Sequence, residues 1–236
     1  MKGKYKTNLV NVWLDTYQEA TKIYRQQEAE LYSTSFTIDL PEQIRSTPAI
    51  VEVKNIDTLL LAEEYGDNTL ILNMASDYTP GGGVKKGSMA QEEEIFRRTS
   101  AFASHDKKYY PLKPDEVLYA NAVTVLKDEK YDYIDPFVVS MISVPALRNP
   151  GKTYNEEQRT IMRNKIELIF KLAIYHQKTK LVLGALGCGA FNNPPYEVAL
   201  IFKEMITKYQ YYFERIGFAI LSRGDQNYKI FREILA

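Results

Sequence analysis

Cysteine and histidine are scarce: Cys188 is the single cysteine, and His105 and His176 are the two histidines. A disulfide framework and a cysteine-rich zinc site are therefore excluded, and a histidine-rich metal site has too few ligands. A surplus of either charge is lacking too, with 30 Lys and Arg against 30 Asp and Glu. A broad nucleic-acid footprint needs a net basic surface, so direct sequence-specific nucleic-acid binding is not expected, although a local basic pocket stays open. Long apolar runs are missing, and none reaches the roughly 18 residues of a membrane-spanning helix. The start, Met1-Lys2-Gly3-Lys4-Tyr5-Lys6, leads into charged sequence instead of the apolar core of a secretory signal. A cytoplasmic protein with no membrane attachment is expected. No internal repeat, low-complexity tract or linker divides the chain.

What is present alternates between two periods. Residues 8 to 32 read as a helix, with Leu9, Val10, Trp13, Leu14, Tyr17, Ala20 and Ile23 at helical spacing. Residues 35 to 40 read as a short strand and 49 to 53 as an apolar one. Asn55 or Asp57 then caps a helix that Gly66 ends. Strands are predicted over 69–72, 117–125, 137–144, 180–183 and 216–221. Helices are predicted over 155–177, with His176 as a cap or surface residue, from Asn193 (N-cap) and Pro194 (first helical position) through Ile206, and over 227–235. This order predicts one α/β domain whose largely parallel sheet is covered on both faces. It spans 1–236, with 1–45 as a helical extension and 46–236 as the core.

One stretch stands out. An apolar run reaches Asn73, three glycines follow at Gly81, Gly82 and Gly83, and seven residues later come Gln91, Glu92, Glu93 and Glu94. Glycines let the backbone approach a ligand closely. Ser88 and Gln91 fit a capping box, which predicts a helix running through Ile95, Phe96, Thr99 and Phe102. Adjacent helical residues diverge, so one or two of the three carboxylates can enter one pocket, and Glu94 is expected to face solvent. The bland alternative is a glycine turn before a solvated acidic helix start.

A second glycine loop, Gly184-Ala-Leu-Gly187-Cys188-Gly189-Ala190-Phe191, follows a strand. Backbone N–H groups in such a loop suit an anion. The glycine spacing is not that of a dinucleotide fold, and no Walker lysine is present. Cys188 reads as a packed turn residue and not as a nucleophile. In an open α/β sheet both loops open at the carboxyl edge of the strands. A phosphorylated sugar or nucleotide with a bond for a carboxyl group to cleave fits both.

These residues resemble a known family. Gly81-Gly82-Gly83 followed by Gln91-Glu92-Glu93 is similar to the signature of poly(ADP-ribose) glycohydrolases, and the Asn73 segment with the later Gly-Ala-x-Gly-Cys-Gly-Ala-Phe-x-Asn-Pro-Pro resembles the bacterial-type branch. The resemblance covers residues 45 to 236. It implies a macrodomain-like three-layer α/β/α fold with a mixed central sheet and an N-terminal helical extension. It implies a glycosidase with Glu93 as the catalytic carboxyl and Glu92 hydrogen-bonding the ribose at the scissile bond. Asn73, Gly81 to Gly83, Gln91 and Gly187 to Phe191 would bind ADP-ribose, with Phe191 on the terminal ribose. No metal or cofactor is implied, and a monomer is favoured. Asp57 is a candidate for the adenine amino group, with a helix cap as the competing role. Lys85 and Lys86 are either solvated or polymer-phosphate contacts. Two other functions share the pocket: hydrolysis of mono-ADP-ribose from protein or nucleic acid, and a reader that binds ADP-ribose without cleaving it. An unrelated phosphosugar enzyme differs only in lacking the motif.

Overall fold

The computed structural model describes residues 8–23, 28–222 and 224–236. The predicted absence of a leader rests on residues 1–7, outside the described residues, as does the predicted helix over 24–27. The elements run α1 (Leu9–Ile23), β1 (Glu30–Ser33), β2 (Ile50–Lys54), α2 (Thr58–Tyr65), β3 (Thr69–Met74), α3 (Gln91–Arg98), β4 (Glu116–Lys127), β5 (Tyr133–Val144), α4 (Glu156–Tyr175), β6 (Lys180–Leu183), α5 (Pro195–Tyr209), β7 (Arg215–Ala219) and α6 (Asn227–Leu235). The seven strands form one mixed sheet in the order β1-β4-β5-β3-β6-β7-β2. From β2 across to β5 all neighbours are parallel, while β4 and β1 add antiparallel at one edge.

The apolar runs of the central strands are explained by two buried faces. In β3, Leu70 and Leu72 join one core while Ile71 joins the other; in β6, Leu181 and Leu183 oppose Val182 in the same way. Side chains alternate across a strand, so a continuous apolar run is what a doubly covered strand needs. The first core lies under α4, α5 and α6, and the second under α1, α2 and α3. The architecture is the expected three-layer sandwich.

Several boundaries differ from the sequence reading. Residues 30–33, predicted as helix, form edge strand β1, and the predicted strand over 35–40 is irregular. Tyr32 decides this: its ring packs on Phe36, Tyr175 and His176, a tertiary cluster that helical periodicity does not reveal. His176 is the C-cap of α4 and stacks on Tyr119 at 3.6 Å. Helix α3 stops at Arg98, because Thr99 turns into an isolated bridge with Val125. Asn193 is not the N-cap of α5; Pro194 holds that position, and the Asn193 side chain is used elsewhere.

Candidate active site

The five parallel strands all send their carboxyl ends to one edge of the sheet. The segments that follow them enclose one cleft of about 420 Å³, lined by Asp57 after β2, Ser76, Gly82 and Gly83 after β3, Ala146 and Arg148 after β5, Gly187 to Phe191 (except Cys188) after β6, and Ile220 after β7. Gln91, Glu92 and Glu93 from the start of α3 complete it. The volume is ordinary for a small-ligand site, about 300–1,000 Å³. The two motifs, far apart in sequence, thus face a common space.

Helix α3 starts two residues later than a Ser88 cap would place it. Its N-cap is Ala90, whose N–H donates to Glu93 Oε2 at 3.0 Å. Ser88 is drawn away because its carbonyl accepts from the buried Arg97 guanidinium. Arg97 also pairs with Glu94 at 2.7 Å, and Tyr131 donates to the same carboxylate at 3.0 Å. Glu94 is therefore tied into the protein and does not simply face solvent. Gln91 spends its side chain on strand β3: it accepts from the Met74 N–H at 2.9 Å and donates to the Leu72 carbonyl at 2.6 Å and Thr58 Oγ1 at 3.2 Å.

Glu92 and Glu93 are both buried, at 3% and 7% exposure. Glu92 accepts from the N–H groups of Ser76 at 2.7 Å and Gly81 at 3.2 Å, and from Asn73 Nδ2 at 3.5 Å. Glu93 accepts from Gly83 N–H at 2.8 Å. Each carboxyl thus fastens the glycine loop as well as facing the cleft. Burial pushes the Glu92 carboxyl up to about 8, and the neighbouring Glu93 charge acts in the same direction against the hydrogen bonds it accepts. Gly82 has φ +52°, and a Cβ there would lie 2.7 Å from Glu93 Oε1 and 2.9 Å from Glu92 Oε2. Close approach of backbone to both carboxyls is what requires glycine at this point.

Asn73 is fully buried and stands behind Glu92, not on the cleft wall; Gly81 and Cys188 also lie off it. Burial pushes the Cys188 thiol up, away from thiolate character, in keeping with a packed turn residue. In the second loop, Asn193 donates to the carbonyls of Leu147 at 2.6 Å and Gly187 at 3.1 Å and accepts from Tyr154 at 2.7 Å. Among the described residues, nothing accepts the N–H groups of Gly187, Gly189, Ala190 and Phe191. They form a rigidly backed row of free donors. Because Pro194 and Pro195 open α5 without N–H groups, the donors come from the turn and not from the helix end.

Arg148 escaped the sequence reading. Its guanidinium lies 4.1 Å from the Phe191 ring and 5.1 Å from Tyr78, and it donates to Asp77 Oδ1 from Nε at 3.0 Å. It bridges the two loops at the cleft. The available signal was its place just past a parallel strand's carboxyl end. Asp57 is the helix cap, holding α2 through Leu59 N–H at 2.9 Å; it also lines the cleft and pairs with buried Arg98 at 2.9 Å. Lys85 and Lys86 are exposed and off the cleft, with Lys85 over the Trp13 ring at 5.3 Å. Among the described residues, no group of three His, Cys, Asp or Glu could hold a metal ion, and no helix is long and apolar enough to cross a membrane.

The sequence model described as "Microbial-type PARG, catalytic domain" matches residues 3–128, more than half of the chain and the part that carries the tri-glycine loop and both carboxyls. The chain belongs to this family. Members are glycosidases acting on poly(ADP-ribose), and this chain is such an enzyme. No curated protein matches it. Its fold is shared by the poly(ADP-ribose) glycohydrolase of Thermomonospora curvata, with a TM-score of 0.84 and 24% identity over 95% of this chain and 98% of that one. The same enzyme bound to the inhibitor ADP-HPD gives 0.79 and 23% over the same shares. The poly(ADP-ribose) glycohydrolase of Deinococcus radiodurans in complex with ADP-ribose gives 0.75 and 26%, over 94% of this chain and 96% of that one.

Proposed function

We propose that the cleft cuts ribose–ribose bonds in poly(ADP-ribose) on modified proteins and releases ADP-ribose, with Glu93 as the general acid and base. The observation that carries this is the meeting of a buried carboxyl pair with a row of free N–H donors in one cleft. The diphosphate takes the free N–H groups of Gly187, Gly189, Ala190 and Phe191, with Arg148 as a cation lining the same cleft. Phe191 packs on the terminal ribose, and Asp57 faces the adenine end.

Breaking the ribosyl C1″–O bond builds an oxocarbenium-like transition state and leaves an oxygen that needs a proton. Burial, reinforced by the neighbouring Glu93 charge, holds a proton on Glu92 near neutral pH. Glu92, the deeper of the two, keeps the loop closed and hydrogen-bonds the ribose. Glu93, fastened by the glycine loop, relays the proton of the pair to the departing oxygen and then activates water. The enzyme works as a monomer in the cytoplasm.

Labelled polymer and mono-ADP-ribosylated protein, incubated separately with the enzyme, test this. Release of ADP-ribose from polymer is expected, and Glu93→Gln should abolish it while binding persists. Release from the mono-modified protein alone would move the substrate to single ADP-ribose groups, and binding without any release would make the chain a reader.

A further inference from the structure

Behind Glu92 lies a chain of buried polar groups that the reaction as described does not use. His105 is 2% exposed, and its Nε2 is 2.7 Å from Ser143 Oγ on β5. Ser143 Oγ in turn is 2.9 Å from Asn73 Nδ2 on β3, and the same Nδ2 reaches Glu92 Oε1 at 3.5 Å. On the other side of the ring, Nδ1 is 3.0 Å from Ser104 Oγ.

The donors present define one arrangement of this chain. The Ser104 hydroxyl donates to the Ala101 carbonyl at 3.1 Å, which leaves its lone pairs to accept from the imidazole. In that arrangement the ring proton is on Nδ1, and Nε2 is an acceptor. Burial disfavours the imidazolium and pushes His105 down to about 4, so the ring is neutral at working pH. The bare Nε2 takes the Ser143 hydroxyl hydrogen. Ser143 then has lone pairs left over, and these accept from Asn73. The Asn73 amide is thereby locked with its NH₂ toward Ser143 and Glu92. Its Oδ1 is buried without a partner among the described residues, as is the hydroxyl of Tyr110. Turned over, the amide would bury its NH₂ where Oδ1 now lies, so one end of the side chain is unmet in either pose. The Ser143–His105 pair is what selects between them.

We propose that His105, through Ser143, is a positioning residue that fixes the Asn73 amide and so presents a hydrogen-bond donor to the inner carboxyl, Glu92. The role deepens the hydrolase reading and rests on it. Without the acceptor at Nε2, the Ser143 hydroxyl can donate to Asn73 Oδ1 instead, the amide turns over, and Glu92 meets an oxygen where it had an N–H. Loss of one buried hydrogen bond of this kind is worth roughly tenfold in rate.

Two measurements test this. Imidazole nitrogen chemical shifts of the unmodified enzyme should show His105 neutral with its proton on Nδ1; a proton on Nε2 would overturn the proposal, whatever the activity. Kinetics on polymer should then show His105→Leu and Ser143→Ala losing about tenfold in kcat with KM little changed, and His105→Gln, whose side-chain oxygen can still accept from Ser143, recovering most of it. Equal rates for His105→Leu and the unmodified enzyme, or no recovery in His105→Gln, would reduce His105 to a core residue. If the unmodified enzyme cleaves no polymer, the hydrolase reading falls and the catalytic role falls with it, while the tautomer is still read on its own.

Discussion

Glu92 and Glu93 are neighbours in the chain, and substitution by glutamine separates the duties proposed for them. Glutamine resembles a protonated carboxyl in shape. Glu92 is held in that form near neutrality, so Glu92→Gln should keep much of its structure and cost less turnover than its neighbour. Glu93→Gln should lower kcat on polymer by about 10²–10⁴-fold, the usual worth of a proton-transfer group, with ADP-ribose affinity by calorimetry nearly unchanged. A Glu92→Gln enzyme slower than Glu93→Gln would reverse the assignment. Arg148 is judged by affinity instead: Arg148→Ala removes the cation between Phe191 and Tyr78, and ADP-ribose binding should weaken by about tenfold. The carboxyls were legible in sequence because they sit inside a motif. Arg148 was not, because its meaning comes from two loops that only folding brings beside it.

Helix α3 and the loop before it act as one part. The loop's N–H groups are held by the helix's first carboxyls, and Gly82 packs directly on both. A bulky residue there must push the carboxyls aside, and a displacement of about 1 Å in a catalytic group can cost about 10²-fold. Gly82→Val should therefore lose turnover on that scale and also ADP-ribose binding, while circular dichroism shows the fold intact. Helix α2 is anchored differently. Asp57→Ala removes an N-cap worth about 0.5–2 kcal/mol and leaves Arg98 buried without its partner, so urea unfolding should show a loss at or above that range. The cap at Asp57 was legible from local spacing. The start of α3 was not, since Arg97, in the helix's last turn, reaches back and takes Ser88 out of the capping position.

Across the whole molecule, two buried groups give stability opposite slopes with pH. His105, lowered from 6.5 to about 4, is neutral in the fold while the unfolded chain takes up a proton, so its share of stability is lost as pH falls through that window. Glu92, raised from 4.5 to about 8, keeps its proton in the fold while the unfolded chain ionises, so stability declines as pH rises from 4.5 to 8. Between 6.5 and 8 only the second slope of this pair remains. Urea titrations should show Glu92→Gln flattening the decline there, and His105→Gln removing the loss below 6.5.

Sequence alone determined the alternation of strands and helices, the doubly buried central strands and the two glycine loops, because each is written in local periodicity or in a contiguous run. It also placed Glu92 and Glu93 at a helix start. Only the tertiary structure decided that Tyr32 belongs to an edge strand, that Asn73 lies behind Glu92 with Ser143 and His105 behind it, and that Arg148 lines the cleft. Those assignments depend on which side chains meet across strands distant in the chain, and on the few donors and acceptors left to them once buried.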